Sequence, residues 1–141
     1  MLVEEVMNRN VVVAKPTVTL REAAKVMGDM NMGSLVIFEE GKILGIVTST
    51  DVLKAIGEGK DPDKTLVQDI MTRDVITVQA DDDLEKAVEI MIENKIKRLP
   101  VLKSGKLVGI ITVSDIAIVE PKIIAQIAAL ISLNAPSKAA G

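Results

Sequence analysis

The chain has 141 residues, 48% of them hydrophobic, a net charge of −3, and neither cysteine nor histidine. That length suits one compact unit or two small ones sharing a core, and the composition excludes disulfides, zinc fingers, thiolate chemistry and any histidine-dependent triad. Basic residues are interspersed with acids, so no face suits duplex DNA, and the single aromatic, Phe38, gives no stacking platform for single strands.

The opening Met-Leu-Val-Glu-Glu has no basic region followed by an apolar core, so no signal peptide is expected. The longest apolar tract, 123–133, contains Gln126 and is too short for a bilayer. Together with the missing cysteines this gives the expectation of a cytoplasmic protein without a membrane partner. Residues 3–7 read as a short helical lead-in, and the β-branched run Val11-Val12-Val13 as an extended entry. Pro16 keeps the preceding residue out of the α region. Thr19-Leu20-Arg21-Glu22 has the form of a capping box, and Leu20, Ala23, Ala24, Met27 and Met30 then make one helical stripe. Two apolar strands follow, 35–38 and 43–47, joined by a turn whose Gly41 supplies positive φ. Their near-continuous apolar character predicts cover on both faces. A short helix over 50–56 closes this half, and the polar stretch 58–66 is a linker.

From there the chain repeats itself. Residues 3–56 align without a gap on 67–120, at a constant offset of 64: Met7 on Met71, Arg9 on Arg73, Ala23 on Ala87, Gly45-Ile46 on Gly109-Ile110, Thr48 on Thr112 and Asp51 on Asp115. A gapless duplication of this length is a strong signal of two similar structural units. The second copy begins its long helix at Asp83, pairs strands 99–102 and 107–111 about Gly105, and ends in a helix over 114–119. Beyond Pro121 the run Ile123, Ile124, Ile127, Ala128, Leu130 and Ile131 predicts a final apolar helix within 121–133, with a frayed tail over 134–141.

Each copy closes on the same corner, Gly45-Ile46-Val47-Thr48-Ser49-Thr50-Asp51 and Gly109-Ile110-Ile111-Thr112-Val113-Ser114-Asp115. A carboxylate where a strand turns into a helix caps the helix start. Thr112 and Ser114, on alternate residues, are placed by the strand period on one face beside it. Lys97-Arg98 is a cation pair just before the adjacent strand. Copy one has Met32-Gly33-Ser34 where copy two has Ile96-Lys97-Arg98, and so lacks that pair. Asp51 and Asp115 without a histidine or a clustered acidic set make no hydrolytic or metal centre, so no enzyme, catalytic residue or metal site is expected. The acidic run Asp81-Asp82-Asp83 reads as a helix-start signal.

This order of elements, duplicated once, with Gly-apolar-apolar-Thr-x-Ser/Thr-Asp closing each copy and Arg98-Leu99-Pro100-Val101 before the second hairpin, resembles a tandem cystathionine-β-synthase (CBS) domain pair, or Bateman module, over residues 1–120. The resemblance implies a mixed α/β (α+β) fold of two β-α-β-β-α motifs packed sheet to sheet, 1–57 and 67–120, joined by 58–66 and followed by the C-terminal helix. It implies a regulatory module that binds AMP, ADP or ATP in clefts between the motifs, generally without chemistry of its own. The main cleft would use Asp115 on the ribose, Thr112, Ser114, Lys97 and Arg98 on phosphate, with Gly33 allowing close backbone approach and Val12 and Met32 against the base. A second cleft would use Ser34, Thr48, Thr50 and Asp51, with Ile76 and Ile96. Lacking its own cations, that cleft would borrow Lys97, take a less charged adenosyl ligand, or stay empty. Such pairs often form homodimers and act on a partner protein. The alternatives are an S-adenosylmethionine sensor and a ligand-free dimeric scaffold docking a partner through the apolar C-terminal helix.

Overall fold

The structure is a computed structural model and describes residues 1–133; the tail expected over 134–141 lies outside them. The chain divides into two compact units, one formed by Val11–Val75 and the other by Met1–Asn10 together with the chain from Ile76 onward. In the first unit, β1 (Val13–Ala14), β2 (Ser34–Glu39) and β3 (Lys42–Thr48) form a sheet in the order β1-β2-β3, with β1 parallel to β2 and β3 antiparallel to it. Helix α2 (Leu20–Met30) links β1 to β2, and α3 (Ser49–Gly57) follows β3 directly. The second unit repeats this with β4 (Val78–Gln79), α5 (Leu84–Asn94), β5 (Arg98–Lys103), β6 (Lys106–Thr112) and α6 (Val113–Val119).

The local reasons are those of the sequence pattern. Thr19 caps α2 by accepting from the Glu22 amide at 3.2 Å, while its hydroxyl donates to the Glu22 carboxylate at 3.0 Å. Leu20, Ala23 and Met27 recur on one face of α2 and are buried. With Leu35, Ile37, Val47, Val52 and Val67 the latter two build the core of the first unit. The strands are buried on consecutive residues, Leu35 to Ile37 and Leu99 to Val101, as their unbroken apolar character requires. Each hairpin turns on two residues of positive φ, Glu40 with Gly41 and Ser104 with Gly105, the backbone that a two-residue primed turn demands.

The lead-ins depart from the order of the repeat. Helix α1 (Val3–Val6) opens copy one in sequence but belongs to the unit built from copy two. Its Val3 and Met7 enter that core, and Asn8 exchanges backbone hydrogen bonds with Ile110 of β6, 2.8 and 2.9 Å long. Helix α4 (Val67–Ile70) does the same in the first unit, where Thr72 exchanges two 3.0 Å bonds with Ile46 of β3. Each compact unit thus takes its lead-in from the other copy of the repeat. The C-terminal segment begins as a 3₁₀ turn, Pro121–Ile123, and continues as α7 (Ile124–Leu133). Ile127 and Leu130 of α7 join the core of the second unit with Val88 and Met91 of α5, so this helix closes its own unit's core.

Candidate functional site

In both units the last strand runs without a loop into its helix. Thr112 ends β6 and is the N-cap of α6. Its hydroxyl oxygen accepts from the Asp115 amide at 3.2 Å, and Asp115 Oδ2 accepts from the Thr112 amide at 3.0 Å. Thr48 and Asp51 make the same reciprocal pair at the start of α3, at 3.2 and 2.8 Å. The sequence pattern set the closing helix over 114–119 and Thr112 and Ser114 on one face of the strand end. The structure corrects both points. The helix starts one residue earlier, because Thr112 has the extended backbone and the hydroxyl that a cap needs, and Ser114 lies within the first helical turn, exposed.

The reciprocal pair fixes the carboxylate. One oxygen of Asp115 is committed to the backbone of the corner. Among the described residues, Oδ1 accepts no protein hydrogen bond, and the carboxyl group is half-buried. Capping and ligand acceptance are therefore compatible functions of one side chain: Oδ2 holds the corner and Oδ1 is left to accept. Among the described residues, neither the Ser114 hydroxyl nor the Thr50 hydroxyl of the first unit has a hydrogen-bond partner.

Strand register brings the cations to this corner. Arg98 stands opposite Thr112 across the β5–β6 ladder, and the Lys97 carbonyl accepts from the Val113 amide at 2.9 Å. Lys97, Arg98, Thr112, Ser114 and Asp115 therefore converge on one corner of the second unit, with Ile76 and Ile96 half-buried against its core. In the first unit Ser34 stands opposite Thr48, and the Gly33 carbonyl accepts from the Ser49 amide at 3.0 Å. Gly33, Ser34, Thr48, Thr50 and Asp51 are the corresponding corner, built alike but without a cationic side chain in the matching positions. Val12 and Met32 belong to this first unit. The Val12 carbonyl accepts from Val36 at 3.1 Å, and both side chains are half-buried.

The sequence reading missed what supports each corner from the adjoining strand. A Cβ placed on Gly45 would lie 2.5 Å from Met71 Sδ and 2.8 Å from the Thr72 carbonyl oxygen. On Gly109 it would meet Met7 Sδ and lie 3.0 Å from the Asn8 carbonyl oxygen. The two glycines let the lead-ins lie flat on β3 and β6, three residues before the capping threonines. The matched pairs Gly45/Gly109 and Met7/Met71 in the repeat were the available signal. Among the described residues, no group of three or more acidic side chains is arranged to hold a metal ion, and no helix is long and apolar enough to cross a membrane.

A strand-to-helix corner built on a capping threonine and an aspartate three residues on, repeated at the same place in two like units, defines a duplicated α/β module. The chain belongs to the CBS domain family, whose model matches residues 3–58 and again 67–121. It is 42% identical over 128 residues to the uncharacterized protein MK0525 of Methanopyrus kandleri, covering 89% of this chain and 65% of that protein's length. It is similar to the CBS domain pair of protein MJ0100, solved in complex with 5′-methylthioadenosine and S-adenosyl-L-methionine, at 31% identity and a TM-score of 0.78, covering 86% of this chain and 97% of that one. A hexameric CBS-CP12 protein from bloom-forming cyanobacteria is similar at 30% identity and a TM-score of 0.77, over 89% of this chain and 73% of that one.

Proposed function

We propose that this chain is a regulatory module that binds an adenosine-containing ligand at its capped aspartate corners and performs no catalysis. The observation that carries this reading is Asp115 Oδ1, which accepts no hydrogen bond among the described residues, on a corner where Arg98 pairs with Thr112 across the ladder: an acceptor for ribose hydroxyls in a basic segment of strand. AMP, ADP or ATP suits that corner. The Asp51 corner has the same acceptor and no matching cations, which favours a ligand without phosphate there. S-adenosylmethionine and 5′-methylthioadenosine are of that kind, and the CBS pair of MJ0100 holds both. The two corners thus divide the ligands by charge.

Binding would act on a partner protein through differential affinity of the ligand for two arrangements of the module. A homo-oligomer, a dimer in the simplest case, and a cytoplasmic setting complete the reading. Oligomers occur among similar proteins, and the chain has no cysteine. Calorimetry with AMP, ADP, ATP, S-adenosylmethionine and 5′-methylthioadenosine tests the proposal. Binding of at least one supports it, and no heat from any of them at millimolar concentration overturns it.

A further inference from the structure

The chain contains seven methionines and no cysteine, so thioethers are its only oxidisable sulfur. Two of them occupy matched positions against a glycine. Met71 lies over Gly45 of β3 and Met7 over Gly109 of β6, and in each case the sulfur takes the space of a Cβ. The residue after each methionine pairs with the same strand, Thr72 with Ile46 and Asn8 with Ile110. The two sites differ in access: Met7 is 8% exposed and fully within its core, whereas Met71 is half-buried at the edge of its own.

We propose that Met71 is an oxidation-sensitive latch on the docking of α4 against β3, responsive to hydrogen peroxide. A sulfur lone pair of Met71 attacks one peroxide oxygen. An S–O bond forms, the O–O bond breaks, and the departing hydroxide takes the proton from the oxygen now bound to sulfur and leaves as water. The sulfur loses two electrons and the peroxide gains them. The sulfoxide oxygen is polar and bulky where the thioether lay flat on a glycine, and the Thr72 carbonyl 2.8 Å from that glycine's missing Cβ closes the alternative space. Relief comes from lifting residues 71–72 away from β3, which breaks the two Ile46–Thr72 bonds. Because β3 runs on from Ile46 to Thr48, the strain reaches the capped corner of the first unit. The latch is independent of which ligand the module binds.

The test is hydrogen exchange of the full chain before and after graded peroxide treatment, with oxidation assigned by peptide mass spectrometry. One oxygen gained at Met71 should accompany roughly tenfold faster exchange of the Ile46 and Thr72 amides. The Asn8 and Ile110 amides should keep their protection while Met7 stays reduced. The variant Met71→Leu should keep the Ile46 and Thr72 protection under the same treatment. Oxidised Met71 with unchanged protection overturns the proposal. So does a reduced Met71 when the exposed Met30 is fully oxidised, or loss of the same protection in Met71→Leu.

Discussion

Asp115 and Thr112 hold each other twice: the Asp115 amide donates to the Thr112 hydroxyl oxygen, and the Thr112 amide donates to Asp115 Oδ2. The pair ties the corner together, and among the described residues the other carboxylate oxygen accepts no hydrogen bond. Removing the carboxylate and replacing it by an amide should therefore have separable effects. Asp115→Ala deletes the bond to the Thr112 amide, and should cost about 0.5–1.5 kcal/mol of stability as well as ligand affinity. Asp115→Asn keeps an oxygen for that amide and should melt within a degree or two of the parent. It should still bind adenosine ligands about tenfold or more weakly, the loss of a hydrogen bond to a charged group. Thermal denaturation alongside calorimetry reads both. Equal affinity in Asp115→Asn and the parent would place the ligand elsewhere.

Lys97 and Arg98 are assigned to phosphate, so their joint replacement by alanine should weaken AMP and ATP more than adenosine. The AMP affinity of the parent should also fall with added salt more steeply than that of the double variant. Titrations at two ionic strengths check this. Equal losses for all three ligands contradict the assignment.

Gly45 and Gly109 admit the lead-ins to β3 and β6. Alanine at either should destabilise by about 1–3 kcal/mol, the usual penalty for overpacking. Gly45→Ala should be the worse of the two, because its Cβ faces a backbone oxygen at 2.8 Å against 3.0 Å at Gly109, and a backbone atom yields less readily than a methionine side chain. Denaturant midpoints of the two variants order them, and the reverse order would show that the fit at β3 is the looser one.

The linker residue Asp63 forms a two-pronged ion pair with Arg21 of α2, Nε to Oδ1 and Nη2 to Oδ2. The hydrogen bond from Arg21 holds the Asp63 carboxyl below its ordinary value. A carboxylate depressed in the folded state contributes above its unfolded pKa, and that contribution fades as the pH falls through the folded value. The protection of amides in residues 61–65, taken relative to their intrinsic exchange rate, should thus fall as the pH drops below the ordinary carboxylate range, and Arg21→Ala should lower it in the same way at neutral pH. Both groups are exposed, so the midpoint of global unfolding should hardly move.

Much of this was legible in the amino-acid sequence. The 64-residue repeat, the turn glycines and the paired Thr-x-x-Asp corners depend on local pattern, and the structure shows each of them; of the expected α2 stripe it buries Leu20, Ala23 and Met27 and leaves Ala24 and Met30 exposed. The helix start shifted by one residue because Thr112 and Ser114 both have capping hydroxyls, and only the backbone tells which is extended. The exchange of lead-ins was not legible. Periodicity shows that Val3 and Met7 need a core, but not which of two similar cores receives them. The Asp115 geometry was half legible: the pattern puts a carboxylate at the helix start, and only the structure shows Oδ2 committed to the Thr112 amide and Oδ1 accepting no hydrogen bond among the described residues.

The central claim is that the Asp115 corner accepts the ribose of an adenosine ligand through its uncommitted oxygen. The most direct measurement is isothermal calorimetry of AMP and S-adenosylmethionine against the parent chain and Asp115→Asn at neutral pH. Saturable AMP binding in the parent, weakened at least about tenfold in Asp115→Asn, with the Asp51 corner still taking S-adenosylmethionine, is the predicted result. An Asp115→Asn protein that folds like the parent and binds AMP just as tightly would contradict the account.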